Sequence, residues 1–135
     1  MRGDRVRFPV PSETHERLLE GFLEALRSDD QEAMLALIAP DATWTSDGGG
    51  KVPSTRRIVS GAPRIVRMVL GYEGKTRRSL RHELARINGE PAIITRAGER
   101  IVFTTAAATD GERLVAFYRM LNPDKLRHAE PSGKR

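Results

Sequence analysis

Asp47-Gly48-Gly49-Gly50-Lys51 sets three consecutive glycines between an acid and a base, in the stretch WTSDGGGKV. That much backbone freedom suits a phosphate cradle, a hairpin, or the close approach of another protein's backbone. A phosphate-binding loop needs a glycine, four residues, then Gly-Lys-Ser/Thr. Here Thr45 stands five residues before Gly50 and Val52 follows Lys51, so the motif fails at both ends. A second short segment, Asn122-Pro123-Asp124-Lys125-Leu126, follows the last apolar run. Pro123 ends a strand and pushes Asn122 into an extended conformation. Asn122 can then cap a short turn, with Pro123 at its first position and Asp124 near its positive end.

Other chemistries find less support. The chain has no cysteine, and its three histidines, His15, His82 and His128, have no HxH or HxxH partner. Neither a disulfide framework nor a metal site is expected, and no cofactor is implied. His82 reads as an ordinary strand histidine satisfied by a neighbour. Acid–base catalysis would need titratable groups converging from a sheet into a cavity. Trp44, His82, Arg96 and Tyr118 are the residues that could line such a pocket, with Asp41 at its mouth, although core or rim roles are the favoured reading of them. Alternation over 113–121 sets Leu114, Ala116, Tyr118 and Met120 on one face and Val115, Phe117, Arg119 and Leu121 on the other, with no acid on either.

The elements that must position these residues follow from periodicity. Ser12 is placed to cap a helix in which Glu13 and Glu16 suit the positive end and Leu19, Phe22, Leu23 and Leu26 form one apolar stripe. Ser28-Asp29-Asp30 interrupts it, and Asp30 caps a second helix that turns Met34, Leu35, Leu37 and Ile38 inward before Pro40 stops it. The run ATWTS then reads as a strand ending at Asp47, and Arg56-Arg57-Ile58-Val59 as a short strand beyond the glycine loop. A third helix starts at Ser60-Gly61-Ala62-Pro63, carries Ile65, Val66, Met68, Val69 and Leu70, and is closed by Gly71. Strands are expected over 80–87, 92–96, 101–109 and 113–121, the first two joined by Asn88-Gly89-Glu90-Pro91 and the last two by Asp110-Gly111. The order ααβ(β)αββββ points to an α+β layer fold with antiparallel pairing. Residues 1–11 read as a linker or arm, 12–127 as one domain, and 128–135 as a disordered tail.

A chain of 135 residues fits a single domain. No apolar run approaches the roughly 20 residues of a membrane span, and MRGDRVRFPVPSE lacks the apolar stretch of a secretory signal. A cytoplasmic protein is expected. The net charge of +5 conceals an asymmetry: Val10 to Gly50 carries seven more acids than bases, while Lys51 to Arg86 carries eight more bases than acids. Such a layout favours an oppositely patterned protein surface, or nucleic acid on the basic side alone, against the plainer reading of a solvated surface with scattered ion pairs. Within the basic stretch only Tyr72 could stack on a base, and no nucleic-acid-binding signature is present, so direct nucleic-acid contact is not expected.

Taken together and in order, DGGGK after a short strand and NPDKL after the last strand resemble the paired signature of extracytoplasmic-function sigma factors that carry a SnoaL-like C-terminal extension. RVRFPVPSETHERLLEGFLEALRSDD is similar to the junction and first helix of that extension, and INGEPAII to its central hairpin. The resemblance covers residues 5 to 127. It implies the cone-shaped fold of the SnoaL-like and nuclear transport factor 2-like superfamily, with helices packed on a curved antiparallel sheet. It further implies a non-enzymatic regulatory domain that contacts the DNA-binding regions of a sigma factor, in cis or in trans, and through them RNA polymerase. Asp47, Gly48, Gly49, Gly50, Lys51, Asn122, Pro123, Asp124, Lys125 and Leu126 would form the contact surface. The sigma regions that precede the extension in that family are not part of these 135 residues. Either an excised domain or a stand-alone relative acting in trans is expected from this. The alternatives are a small-molecule enzyme or binder using the cone's cavity, as an isomerase, cyclase or hydrolase, and a homodimeric module of the same fold.

Overall fold

The computed structural model describes residues 11–47 and 57–121. Three helices, α1 (Ser12–Ser28), α2 (Gln31–Leu37) and α3 (Ala62–Thr76), accompany six strands. These are β1 (Ile38–Asp47), β2 (Arg57–Ser60), β3 (Arg81–Ile87), β4 (Glu90–Ala97), β5 (Arg100–Thr109) and β6 (Leu114–Met120). They form one sheet in the order β2-β1-β6-β5-β4-β3. All pairings are antiparallel except that of β1 with β6, which is parallel and corrects the expectation of a wholly antiparallel sheet. Tight turns dictate antiparallel neighbours only within the β3–β6 meander; β1 reaches β6 from far away in sequence, and nothing local fixes its direction. Register shifts between Thr95 and Arg96 and between Ala108 and Thr109 help to curve the sheet.

The helices cover one face of this sheet: α1 packs on β3, β4 and β5, and α3 on β1 and β2, with α2 between them. Leu19, Phe22, Leu23 and Leu26 of α1 are all buried, as the stripe predicts. The α1 start differs from expectation. Ser12 is its first residue and Pro11 occupies the cap position, accepting from the Thr14 and His15 amides through its carbonyl. Proline's fixed φ pre-orients the chain for the helix without a side-chain cap. Asp29, with φ 57°, then ends α1, its amide and that of Asp30 returning to the carbonyls of Leu26 and Ala25. Asp30 caps α2 as expected, Oδ1 accepting from the Ala33 amide at 3.1 Å.

Three element boundaries move, one of them the start of β4, which begins at Glu90 rather than 92 and takes in Pro91 of the expected loop. α2 stops at Leu37, and Ile38, expected in that helix, is already the first residue of β1, which runs through Pro40. The residue before a proline is biased to extended backbone, and Ile38 is β-branched besides, so the helix gives way two residues early. α3 continues through Gly71 to Thr76. One glycine costs a helix about 1 kcal/mol, and burial of Val66, Val69 and Glu73 along the same helix outweighs it. The Asn88-Gly89 hairpin is as expected, both residues at positive φ (54° and 83°) in the combination that a two-residue type I′ turn requires.

Candidate functional site

Among the described residues, two of the hollows between the helices and the sheet divide the residues expected to line a pocket. The first is a cavity of about 320 Å³ bounded by β1, β2, α3 and the end of β6. Trp44 and Ser46 enter from β1 because they are two apart on one strand face, and Arg119 and Leu121 enter from β6 on the same grounds. Met68, Val69 and Tyr72 close it from α3, and Arg57 and Val59 from β2. Trp44 is only 2% exposed and donates through Nε1 to the Ser46 hydroxyl at 3.0 Å. Its ring stacks on Phe117 at a centroid distance of 5.2 Å, and Phe117 meets Phe22 of α1 at 5.1 Å. This aromatic row ties the cavity wall to the core.

Arg119 is the unusual member of that wall. Its guanidinium carbon lies 4.0 Å from the Phe103 ring centroid, 5.0 Å from Tyr72 and 5.2 Å from Trp44, a three-sided aromatic cage. It makes no hydrogen bond or ion pair with any described residue, and its Nε is buried without a partner. Burial pushes its pKa below the ordinary arginine value, partly opposed by the nearby Tyr72 phenol. An arginine nevertheless stays charged at neutral pH, so the protein holds a poorly hydrated cation against three ring faces. Each such contact contributes about 0.5–2 kcal/mol. Sequence reasoning missed Arg119 as a site residue, although alternation had set it on the face of Phe117 and Leu121, and an arginine between two core-facing apolar residues was the available signal.

The second hollow, about 510 Å³, lies at the other end of α3 and contains His82 and Arg96. His82 is satisfied at both ring nitrogens. The Glu73 carboxylate accepts from Nε2–H at 2.7 Å, which leaves Nδ1 of a neutral ring to accept from the Thr95 hydroxyl at 2.8 Å. Glu73 is buried despite its charge, and Arg77, one turn along α3, stands 3.7 Å from its other oxygen. Arg96 Nε pairs with Glu83 across β3 and β4 at 3.4 Å. Arg27 of α1 reaches the His82 carbonyl at 2.8 Å, and Arg77 reaches back to the Arg27 carbonyl at 3.3 Å. These bonds fasten α1 and α3 to β3, and Arg86 adds an exposed ion pair to Glu16 at 3.1 Å. The Glu16–Arg86 pair thus links the acidic first third of the chain to its basic middle.

The four residues expected to share a pocket therefore do not. Trp44 lines the first hollow and His82 and Arg96 the second, while Tyr118 lines neither and stands 52% exposed on the sheet face opposite Arg119. Of the two motif segments, Asp47 is the last residue of β1, where its backbone is opposite Met120 of β6. Gly48, Gly49, Gly50, Lys51, Asn122, Pro123, Asp124, Lys125 and Leu126 lie outside the described residues. Because β1 and β6 run in parallel, the chain leaves the sheet toward both segments at the same end and from neighbouring strands.

The extracytoplasmic-function RNA polymerase sigma factor SigJ of Mycobacterium tuberculosis is 29% identical to this chain over 141 aligned residues, covering 92% of the chain and 45% of SigJ. The crystal structure of SigJ superposes with a TM-score of 0.67 at 27% identity, over 84% of this chain and 44% of that one. The chain is a homologue of part of SigJ. It spans less than half the length of that relative. No family model matches the SigJ homologue. More distant structures share its fold alone. A SnoaL-like protein of Burkholderia thailandensis matches at TM-score 0.60 and 15% identity, over 82% of this chain and 97% of its own. A putative ketosteroid isomerase from Kribbella flavida matches at 0.57 and 16%, over 91% and 85%. The fold is that of the SnoaL-like and nuclear transport factor 2-like proteins: three helices on a curved six-stranded sheet. Among the described residues, no helix is long and apolar enough to cross a membrane.

Proposed function

We propose that the chain is a regulatory domain that binds the DNA-binding regions of a sigma factor, in cis or in trans, and thereby adjusts transcription initiation by RNA polymerase. The observation that carries this reading is the similarity to SigJ across 92% of the chain. The contact surface we assign to it comprises Asp47 to Lys51 and Asn122 to Leu126. The parallel exit of β1 and β6, with Asp47 opposite Met120, supports a joint role by starting both segments from adjacent points. A glycine run admits a partner's backbone, and the flanking charges set register.

The test is titration of a fragment carrying the DNA-binding regions of a SigJ-like sigma factor with this chain and with its Asp47→Ala and Asp124→Ala forms. Saturable binding weakened about tenfold by each substitution is expected, the usual scale for losing a charged interface contact. Undiminished binding by both variants removes these segments from the interface, and absence of binding by the unaltered chain sinks the regulatory reading itself.

A second reading, a small-molecule protein built on the cone, is favoured by the cavity at Arg119. The described residues around it supply two guanidinium cations, Arg57 at the rim and Arg119 in the wall, with a phenol and a hydroxyl but neither carboxylate nor imidazole. That set suits holding an anion better than moving a proton. Glu73 and His82, the pair with acid–base chemistry, face the other hollow and are committed to each other.

A further inference from the structure

We propose that the cavity between α3 and the β1–β6 edge is a binding site for a small apolar carboxylate, recognised by the caged guanidinium of Arg119. The volume of about 320 Å³ is at the lower end of the range for small-molecule sites. Its walls are mostly apolar, from Trp44, Val59, Met68, Val69 and Leu121, which calls for an apolar body on the occupant.

The polar requirement comes from Arg119. Its Nε is sealed without a hydrogen bond, and no described residue supplies an anion. Half-burying an unpaired charge is costly, and folding alone gives no reason to keep it at a position where a methionine would pack. The terminal guanidinium nitrogens are not sealed, and their fork matches a carboxylate. The three rings hold the guanidinium in place before the ligand arrives, so little ordering entropy is lost on binding. Arg57, the other guanidinium of the lining, stands exposed on β2 where water already solvates it, so the charge left to be matched inside is that of Arg119 alone, which favours a monoanionic carboxylate over a phosphate dianion. Ser46 is near enough to Trp44 to be held by it, and its hydroxyl retains an acceptor lone pair and a donor for the occupant.

The cavity also adjoins the roots of both contact segments. Ser46 immediately precedes Asp47, and Leu121 immediately precedes Asn122. On the sigma-binding reading proposed above, occupancy and partner binding are therefore coupled, each altering the affinity for the other.

Trp44 is the sole tryptophan of the sequence and forms part of the cavity wall, so intrinsic fluorescence reports directly on the site. The full chain is titrated with cyclohexanecarboxylate and, in parallel, with its uncharged isostere cyclohexanecarboxamide, neither of which absorbs where tryptophan does. A saturable fluorescence change is expected with the acid, at least tenfold tighter than with the amide. Arg119→Met should abolish the preference, and Val59→Phe, which fills the cavity from β2, should abolish binding of both. Equal affinity for acid and amide, or a preference that survives in Arg119→Met, overturns the site. The acid-against-amide comparison in the unaltered chain stands even if a variant does not fold. Repeating the acid titration with the sigma fragment bound separates the second claim. A shifted Kd supports coupling, whereas an unchanged Kd overturns coupling and leaves the carboxylate site intact.

Discussion

Among the described residues, buried side-chain polar atoms are satisfied by the fold with one exception, the Nε of Arg119. His82 is among the satisfied. Its two hydrogen bonds join α3 to β3 and β4, and removing the ring leaves Glu73 and Thr95 buried without it. His82→Ala should cost about 2–4 kcal/mol, the range for stranding a buried charge and a buried hydroxyl, read as a lower urea midpoint at unchanged slope. Arg119 is the exception. Cation–π contact is offset by desolvation and by the unpaired Nε, so Arg119→Met should change stability by less than about 1 kcal/mol. Phe117→Ala, two residues away on the same face, should cost about 3–5 kcal/mol because it empties the centre of the Phe22–Phe117–Trp44 row. A large loss from Arg119→Met in the same urea titration would mean that the arginine is structural.

At the scale of elements, local rules carried most of the architecture and failed where two of them competed. The apolar stripe of α1, the Asp30 cap, the Asn88-Gly89 turn and the order of helices and strands are all visible in the sequence, because each depends on neighbours within a few residues. The start of β1 was obscured because Pro40 reads equally as a helix stop and as an irregular edge of a strand. The end of α3 was obscured because Gly71 reads as a terminator, while tertiary burial carries the helix past it. That account makes a prediction. Gly71 and Gly74 lie inside α3 at ordinary φ with open space where a Cβ would stand. Gly71→Ala and Gly74→Ala should each stabilise the protein by about 0.5–1 kcal/mol, seen as a rise in Tm. Gly89→Ala should do the opposite, since φ 83° suits glycine alone. The pocket residues were the least legible. Along β6 the face assignment separated Tyr118 from Phe117 and Arg119 correctly but failed for Leu114, which joins Phe117 in the core because the register shift opposite Ala108 and Thr109 breaks the alternation. Which faces meet across the sheet depends further on the parallel β1–β6 pairing, and no short-range signal encodes it. Tyr118 was consequently expected in a pocket that lies on the other face of its strand.

For the whole molecule, the parallel pairing is what gives the two motif segments neighbouring points of departure. Residues seventy-odd positions apart in the chain leave the sheet from neighbouring strands at one end, above the Arg119 cavity and away from the ion-paired side around Glu73. On the proposed reading, a partner that touches one segment is thereby brought to the other. The most direct measurement is site-specific photo-crosslinking from positions 47, 124 and 118 to a sigma fragment carrying the DNA-binding regions. Position 118 serves as the control on the opposite sheet face. Crosslinks to the fragment from positions 47 and 124, with none from position 118, are expected. Crosslinks from position 118 alone, or from none of the three while the fragment remains bound, would contradict a contact surface formed by the two segments.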